Sequence, residues 1–328
     1  SWTTRWCGAA TRAGIGGRVT FLEIDLRILL TGACGYVGSA LLPKLREAGH
    51  TVYGIDTMWF RTDETVDCDD VRAPQDWTDF EAIIHLAAIS NAPSVSYSPR
   101  RSWETGVLAT QQLAQMAAKT GCRFIYASSV SVYGADRGMV TEDMDLHPLS
   151  DYNKTKMCAE RVLLSYPEIR PQIIRPATIC GLSPRMRLDL TVNMLTMQAI
   201  TCKGMTVHGG SQWRPSIHID DMCNLYLFML DHPELTGVWN AGFENNTILQ
   251  IAGMVSEAIG AALHVTAQRD ARSYQVNSDK LLATGFRPGK TIKDAIAELM
   301  AAHAEGTLRD LPQWYNLHYM QHLGIKDE

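Results

Sequence analysis

The sequence lacks a long apolar run, a surplus of basic residues and any closely spaced pair of cysteines. No apolar stretch reaches the roughly 18 residues that a membrane-spanning helix needs, so we expect no membrane association. The chain carries 30 Lys and Arg against 35 Asp and Glu. Because this balance leaves no cationic excess to neutralise phosphates, we expect no nucleic-acid partner.

The eight cysteines lie at wide and irregular intervals along the chain. None belongs to the CxxC pair that is typical of a zinc site or a redox dithiol, so we predict no bound metal. This usage favours reduced thiols, and we therefore expect a cytoplasmic protein.

The N-terminal stretch differs in composition from the rest of the chain. Residues 1–18 contain three arginines, four glycines and no acidic residue. An Arg-rich, acid-poor stretch is also typical of an organelle transit peptide. We interpret residues 1–24 as a leader or an appended segment outside the core fold.

Apolar strands alternate with amphipathic helices from Leu26 onwards. This alternation predicts βαβ units and an α/β fold, a Rossmann-type doubly wound parallel sheet. Strands are predicted at Leu26–Thr31, Thr51–Ile55, Ala82–Leu86, Arg123–Ala127 and Gln172–Arg175, and helices at Tyr36–Ala48, Trp103–Thr120 and Tyr152–Ser165.

Longer loops containing Pro and Gly begin near residue 180, with clearer helices at Ile248–Ile259 and Ile292–Ala302. We therefore assign residues 25–180 to a dinucleotide-binding domain. Residues 181–328 are assigned to a smaller α/β domain that mainly binds substrate. A return of the chain from this domain to the first sheet is left open.

A glycine-rich turn joins the first predicted strand to the first helix. Its glycines, Gly32, Gly35 and Gly38, would permit a tight turn, a close approach of the backbone to a pyrophosphate and close packing of helix on strand. Asp56 ends the next strand, where a carboxylate can accept hydrogen bonds from ribose hydroxyls. Since it would repel a 2′-phosphate, the sequence predicts NAD rather than NADP.

Further contacts with this cofactor are predicted at the ends of neighbouring strands. Asp70 and Val71 would hold the adenine ring, and the small residues after His85 would let the cofactor lie against the backbone. His85 itself is interpreted as a core histidine rather than a metal ligand. The predicted set also contains Tyr36, Val37, Leu86, Ala87 and Ala88.

The predicted catalytic group combines a helix with a loop of hydroxyl side chains. Tyr152 and Lys156 are four residues apart and so share one helix face. A tyrosine has an ordinary pKa of about 10, but a nearby ammonium and a positively charged nicotinamide would favour its phenolate. The serines that follow the strand Arg123–Ala127 would point into the cofactor crevice and hold a substrate hydroxyl for proton transfer.

Taken in order, these motifs resemble the extended short-chain dehydrogenase/reductases. The likeness is to the NAD-dependent epimerase/dehydratase family of nucleotide-sugar enzymes, with UDP-glucose 4-epimerase as the nearest type, and it spans roughly residues 26 to 302. It implies that Tyr152 is the general base, that Lys156 modifies its pKa and anchors the ribose, and that Ser129 binds the substrate hydroxyl. Family members carry Asn where this chain has Gly106.

The resemblance also implies a set of substrate contacts and an assembly. The segment that starts at Pro176 would border the nicotinamide, and Asn193, Arg214 and Arg272 would bind the diphosphate of a nucleotide-diphosphate sugar. Ser131 is predicted to contact the sugar. A homodimer is expected through the helices at Trp103–Thr120 and Tyr152–Ser165.

The predicted reaction follows from what stands beside Ser129. The dehydratase branch of the family has an Asp–Glu pair there, whereas this chain has Val130 and Ser131, so we discount dehydration. We predict an NAD-dependent nucleotide-sugar epimerase, with UDP-sugar 4-epimerisation as the first choice and a GDP- or dTDP-linked sugar or heptose still open. A dehydrogenase or ketoreductase of the same family is the alternative, and a non-catalytic NAD sensor or interaction protein is the alternative of another class.

Overall fold

The computed structural model describes residues 25–60, 63–73, 77–135, 137–267 and 273–327. The predicted leader, residues 1–24, therefore lies outside the described residues. None of the helices in the described ranges combines the length and the apolarity that a bilayer crossing requires. The seven cysteines of these ranges are all free thiols.

In the described ranges seven parallel strands form the main sheet, and this confirms the predicted Rossmann-type fold. Their bounds are Arg27–Thr31 (β1), Thr51–Asp56 (β2), Asp67–Cys68 (β3), Ala82–His85 (β4), Arg123–Ala127 (β5), Gln172–Pro176 (β7) and Gly237–Ala241 (β11). The order across the sheet is β11-β7-β5-β4-β1-β2-β3. The strand order reverses between β1 and β4, which is where doubly wound sheets bind their ligands.

Three smaller sheets use the remaining strands. They are Met139–Val140 (β6), Thr178–Cys180 (β8), Gly204–His208 (β9), Trp213–His218 (β10), Glu244–Thr247 (β12), Ala262–Thr266 (β13) and Gln275–Val276 (β14). β10 pairs with β8 and β12, β13 pairs with β9, and β14 pairs with β6. β11 lies beyond residue 180 and yet belongs to the main sheet, so the chain does return to it; the domain boundary at 180 itself stays a prediction.

The α-helices lie on both faces of the main sheet and around the second half of the chain. They are Tyr36–Glu47 (α1), Ala92–Tyr97 (α2), Pro99–Trp103 (α3), Ala109–Thr120 (α4), Asp151–Leu164 (α5), Thr191–Cys202 (α6), Ile219–Asp231 (α7), Ile248–Ile259 (α8), Asp279–Ala283 (α9), Ile292–Ala304 (α10) and Asn316–His322 (α11).

The helix predicted at Trp103–Thr120 is interrupted in the structure. A π-helical turn, Glu104–Leu108, joins α3 to α4. The hydroxyl of Thr110 donates a hydrogen bond to the main-chain carbonyl of Gly106 at 2.9 Å. Gly106 provides little local preference for an α-helix, so packing of this turn against α5 can decide its geometry.

The core explains why the inner strands carry continuous apolar runs. Ile28 and Leu30 point into the cluster on the face of α1 and α7, whereas Leu29 points into the cluster with α4 and α5. Strands covered on both faces need such continuous apolar runs. A separate cluster beneath α6, α8 and α10 forms the core of the second half.

Candidate active site

One cavity of about 910 Å³ lies over the carboxyl ends of the main strands. Apart from Asn193, every predicted site residue in the described ranges lines it. These residues come from the glycine turn and the start of α1, the ends of β2, β4 and β7, the loops after β3 and β5, β10, and α5. They are Gly32, Gly35, Tyr36, Val37, Gly38, Asp56, Asp70, Val71, Leu86, Ala87, Ala88, Ser129, Ser131, Tyr152, Lys156, Pro176 and Arg214.

The glycine turn is sterically closed to any other residue at two of its positions. Gly32 has a φ of +72°, and a Cβ there would lie 2.8 Å from the main-chain nitrogen of Ala87. A Cβ on Gly38 would lie 2.1 Å from the carbonyl oxygen of Gly32. The turn thus packs against β4 and α1 with no room for a side chain, and it presents the N-terminus of α1 to the cavity. Main-chain N–H groups at a helix N-terminus favour an anion such as a pyrophosphate.

Asp56 lies at the end of β2 beside this turn. Its carboxylate accepts hydrogen bonds from the main-chain N–H of Cys34 at 3.1 Å and from that of Met58 at 2.9 Å. Burial raises the pKa of Asp56, and these two hydrogen bonds oppose the rise. Asp56 also lines the cavity, next to the glycine turn, where the ribose of the cofactor is expected.

Asp70 is held in place by a basic neighbour. Arg72 donates hydrogen bonds from Nε at 3.0 Å and from Nη2 at 2.7 Å to its carboxylate, and from Nη1 at 2.7 Å to Glu104. Burial opposes the charged form, but the hydrogen bonds from Arg72 outweigh it and lower the pKa of Asp70. This network fixes the loop after β3 that was predicted to contact the adenine.

The hydroxyl loop, residues 128–131 after β5, and α5 line the same cavity. The hydroxyls of Ser129 and Ser131 form a hydrogen bond of 2.8 Å. The Ser129 hydroxyl also caps the 3₁₀ turn Val130–Tyr133. Ser150 caps the N-terminus of α5 by accepting from the N–H of Asn153 at 3.2 Å. This cap begins the helix one residue before Tyr152, so that Tyr152 faces the cavity together with Lys156.

Burial sets the pKa values of the two helix residues in opposite directions. Burial raises the pKa of Tyr152, while the Ser129 hydroxyl and the charge of Arg187 act to lower it. Burial lowers the pKa of Lys156 to about 8, and the carboxylate of Glu160 opposes this. The expected lowering of the Tyr152 pKa is thus absent in the protein alone, because desolvation of the phenolate outweighs the nearby donors.

Glu160 belongs to a buried network behind the catalytic residues. Its carboxylate accepts from Arg175, at 2.9 Å from Nε and 2.6 Å from Nη2, and also from the hydroxyl of Ser128. Arg175 in turn donates to the hydroxyl of Tyr133 at 2.6 Å. The network ties α5 to β7 and to the loop that carries Ser129. An ion pair this deeply buried is costly unless all its members are bonded, as they are here.

His85 lies in the core, as expected, and joins two threonines. Nδ1 lies 2.7 Å from the Thr31 hydroxyl, and Nε2 lies 3.0 Å from the Thr110 hydroxyl. Thr110 gives its proton to the carbonyl of Gly106, so it must accept from His85; we therefore assign the proton to Nε2. Burial lowers the pKa of His85 to about 3, and the charge of Lys156 adds to this effect.

In the described ranges no cluster of side chains suited to a metal occurs.

Two of the predicted diphosphate ligands, Asn193 and Arg272, are not among the described residues that line the cavity. Asn193 is fully buried behind the cavity wall: its Oδ1 accepts from the N–H of Gly181 at 3.0 Å, and its Nδ2 donates to the Tyr36 hydroxyl at 3.1 Å. This placement argues against direct contact with a ligand, because both ends of the amide are already bonded. Arg272 lies outside the described residues.

Several cavity residues were not predicted from the sequence. Arg187 donates from Nη2 to Asp189 at 2.8 Å and from Nη1 to Ser90 at 2.9 Å. Arg185 lies beside this pair, and Asn316 brings α11 to the same wall. The charged residues Arg185, Arg187 and Asp189 lie close together in the sequence and could have indicated a binding site. Nothing in the sequence near Asn316 indicates one.

A model of the NAD dependent epimerase/dehydratase family matches residues 28–242. The chain belongs to this family. Its dependence on NAD follows from that membership. Its Rossmann fold is shared with solved structures that resemble it.

Family members similar to this chain include enzymes with different reactions. The chain is 28% identical over 316 residues to a Bacillus subtilis protein named uncharacterized UDP-glucose epimerase YtcB, covering 84% of this chain and 97% of the other. It is 25% identical over 305 residues to UDP-glucuronic acid decarboxylase 1 of Xenopus tropicalis, covering 82% and 70%. The structure of UDP-glucuronic acid 4-epimerase from Bacillus cereus, in complex with UDP-glucuronic acid and NAD, is 25% identical with a TM-score of 0.74, covering 85% and 99%.

Proposed function

We propose that the protein is an NAD-dependent nucleotide-sugar epimerase that oxidises a sugar hydroxyl transiently to a ketone and reduces it again on the other face. The observation that carries the proposal is that Ser129, Tyr152 and Lys156 line the same cavity as the glycine turn and Asp56. A sugar bound at the hydroxyl loop would thus lie next to the cofactor. The proposed substrate is a UDP-linked sugar, as the names of two similar proteins suggest. The proposed position is C4, as in the UDP-glucuronic acid 4-epimerase.

Bound NAD would supply the acceptor for the hydride of the sugar carbon and the donor for its return. The protein supplies the proton transfers. Tyr152 takes the proton of the sugar hydroxyl, and Ser129 holds that hydroxyl and the tyrosine oxygen in line. Lys156 supplies a positive charge near the phenolate and anchors the ribose. In the reverse step Tyr152 returns its proton to the oxygen of the ketone.

The raised pKa of Tyr152 makes the bound cofactor part of this proposal. Desolvation keeps the phenol protonated in the protein alone. A positively charged nicotinamide in the same cavity would favour the phenolate, so that the base becomes effective only in the oxidised complex. This would restrict proton abstraction to the complex in which the oxidant is present.

Dehydration is not part of the proposal, because the residues next to Ser129 cannot supply a second acid and base. Val130 is buried in the core, and the Ser131 hydroxyl is bonded to Ser129. We also propose that Arg214 and Arg272 bind the substrate diphosphate, since guanidinium groups suit phosphate oxygens.

A panel of nucleotide sugars, followed by mass spectrometry and by absorbance of NADH, tests the proposal. We expect a product of unchanged mass and no net NADH. A product lighter by two hydrogens with accumulating NADH would make the protein a dehydrogenase, and release of CO₂ from UDP-glucuronic acid would make it a decarboxylase. A panel with no turnover at all would favour the NAD-binding sensor.

A further inference from the structure

Arg185 is a buried cation with too few partners. Its side chain is 2% exposed, and its Nε has no hydrogen-bond partner among the described residues. Nη2 donates to Oδ1 of Asn316. Within the described part of the chain, no carboxylate lies within ion-pair distance of its guanidinium. A buried charge in this condition is costly unless a ligand compensates it.

The guanidinium is nevertheless held firmly in one place. It stacks on the ring of Phe60, with 3.7 Å between the guanidinium carbon and the ring centroid. The main-chain N–H of Arg185 donates to the hydroxyl of Ser39 at 3.2 Å, and the nearby Ser183 hydroxyl donates to the carbonyl of Tyr36 at 2.7 Å. The segment that carries Arg185 is thus fastened to the first turns of α1.

The topology shows what this position faces. Phe60 follows β2, and Asn316 is bonded to Ser90, which follows β4. β1 lies between β2 and β4 in the sheet. Through Phe60 and Asn316 the guanidinium is thus linked to segments that follow the strands on both sides of β1, and it lines the same cavity as the glycine turn. A dinucleotide places its pyrophosphate at this point of a Rossmann sheet.

We propose that Arg185 binds the pyrophosphate of NAD and is the main cationic ligand that supplements the glycine turn. A bound pyrophosphate would supply the missing counter-charge and an acceptor for the unpartnered Nε. Burial and the like charge of Arg187 lower the pKa of Arg185 to about 9, and the more distant carboxylates of Asp189 and Asp56 only partly oppose this. The inference needs only NAD dependence, so it can hold or fail independently of the proposed epimerisation.

Titration calorimetry with NAD, adenosine and UDP tests this assignment on the full chain. Arg185→Met should weaken NAD binding by about 10- to 100-fold, the loss expected for a charge-assisted hydrogen bond to phosphate. Adenosine, which has no phosphate, should bind as it does to the wild type. Arg185→Lys keeps the charge but loses the fork, and should weaken NAD binding by a smaller factor.

Thermal unfolding separates ligand binding from a structural role. Without NAD, Arg185→Met should unfold at the wild-type temperature or above it, because the variant removes an uncompensated buried charge. The rise in unfolding temperature that NAD produces should shrink. Lys44→Met is the matched control: Lys44 lies on α1, outside the cavity and paired with Asp220, so this variant should bind NAD normally.

Three results would overturn the assignment. The first is an unchanged affinity for NAD in Arg185→Met, and the second is an equal loss of affinity for NAD and for adenosine. The third is a loss of affinity for UDP but not for NAD, which would assign Arg185 to the substrate diphosphate. If Arg185→Met does not fold, Arg185→Lys decides between the same outcomes, since it retains the volume and the charge.

Discussion

The ammonium of Lys156 donates a hydrogen bond of 2.6 Å to the main-chain carbonyl of Ala127. Ala127 is the last residue of β5, and the loop with Ser129 starts directly after it. Lys156 therefore fastens α5 to the strand end that carries the other half of the catalytic group. One lysine thus has two tasks, since it holds the backbone in register and places a positive charge next to the site.

Replacing Tyr152 by Phe is expected to abolish turnover and leave NAD bound, because only the proton-transferring hydroxyl is removed. Lys156→Met should lower kcat by about 10²- to 10⁴-fold, the usual contribution of assisted proton transfer. The measurement is steady-state turnover together with NAD affinity. Lys154→Met is the control, since Lys154 is exposed on the same helix and paired with Asp151. Undiminished turnover in Tyr152→Phe would refute the assigned base.

Asp56 should make the wild type bind NAD more tightly than NADP, because a buried carboxylate repels a 2′-phosphate. Asp56→Asn keeps one acceptor oxygen but loses the charge, so it should narrow the gap between the two affinities. Calorimetric titration of both cofactors measures this. Asp63→Asn, at a loop position outside the cavity, is the charge-matched control. Tighter binding of NADP by the wild type would contradict the role given to Asp56.

Two glycine-to-alanine variants should behave in opposite ways. In Gly38→Ala the new Cβ would lie 2.1 Å from the carbonyl oxygen of Gly32, so the glycine turn must move. We expect a loss of at least about 1–3 kcal/mol in the free energy of unfolding and a weaker affinity for NAD. In Gly106→Ala the nearest atom is the Thr155 Cβ at 3.5 Å, an ordinary contact.

Gly106→Ala should therefore be neutral or stabilising by up to about 1 kcal/mol, because alanine favours a helical backbone over glycine. Urea unfolding of both variants measures the difference. Equal destabilisation by the two substitutions would show that the close approach at Gly38 has no special weight.

Many elements of the fold could be predicted because their signals are local. The bounds of β5 and α8 agree residue for residue with the prediction, and α1 and α5 agree within one residue. Strands covered on both faces carry continuous apolar runs, and glycine marks the turn between β1 and α1. The π-turn at Glu104–Leu108 could not be predicted, since its geometry depends on contact with α5, which is far away in sequence.

The parts of the site that were missed depend on contacts between distant segments. Arginine is usually exposed, and Arg185 is buried only because Phe60 and Asn316 enclose it. Asn193 was predicted from its place in a motif, but the motif does not show that Gly181 and Tyr36 already bond both ends of its amide. Sequence patterns thus identify which residue types are suited to a site. Whether a side chain points into the site can be seen only in the packed structure.

The expected homodimer remains a prediction that light scattering can test. α4 and α5 pack side by side on the main sheet, and apolar side chains at their ends stay exposed: Leu108 by 53% and Leu164 by 50%. A dimer would scatter with twice the 36.4 kDa of one chain. Leu108→Glu should shift the mass towards the monomer, while Leu249→Glu on α8 should not. A wild-type monomer at micromolar concentration would reject the expectation.

His85 should make the protein lose stability as the pH falls below about 6.5. Burial lowers its pKa to about 3 in the folded protein, compared with an ordinary value near 6.5. Between these values the unfolded chain binds a proton that the folded chain refuses. The free energy of unfolding therefore decreases by about 1.4 kcal/mol for each pH unit in this window, and the full contribution is present above it.

Protonation would also break the chain of hydrogen bonds through this histidine. Nδ1 must accept from Thr31, whose hydroxyl already accepts from the N–H of Ala87 at 3.2 Å. Urea unfolding of the wild type and of His85→Gln between pH 4.5 and 8 measures the effect. We expect the difference between their stabilities to shrink as the pH falls, because glutamine does not titrate. His264→Gln, at an exposed position on β13, should reproduce the wild-type curve. Parallel curves for wild type and His85→Gln would mean that His85 can take up a proton in the folded protein without cost, and the assigned hydrogen-bond chain would then be wrong.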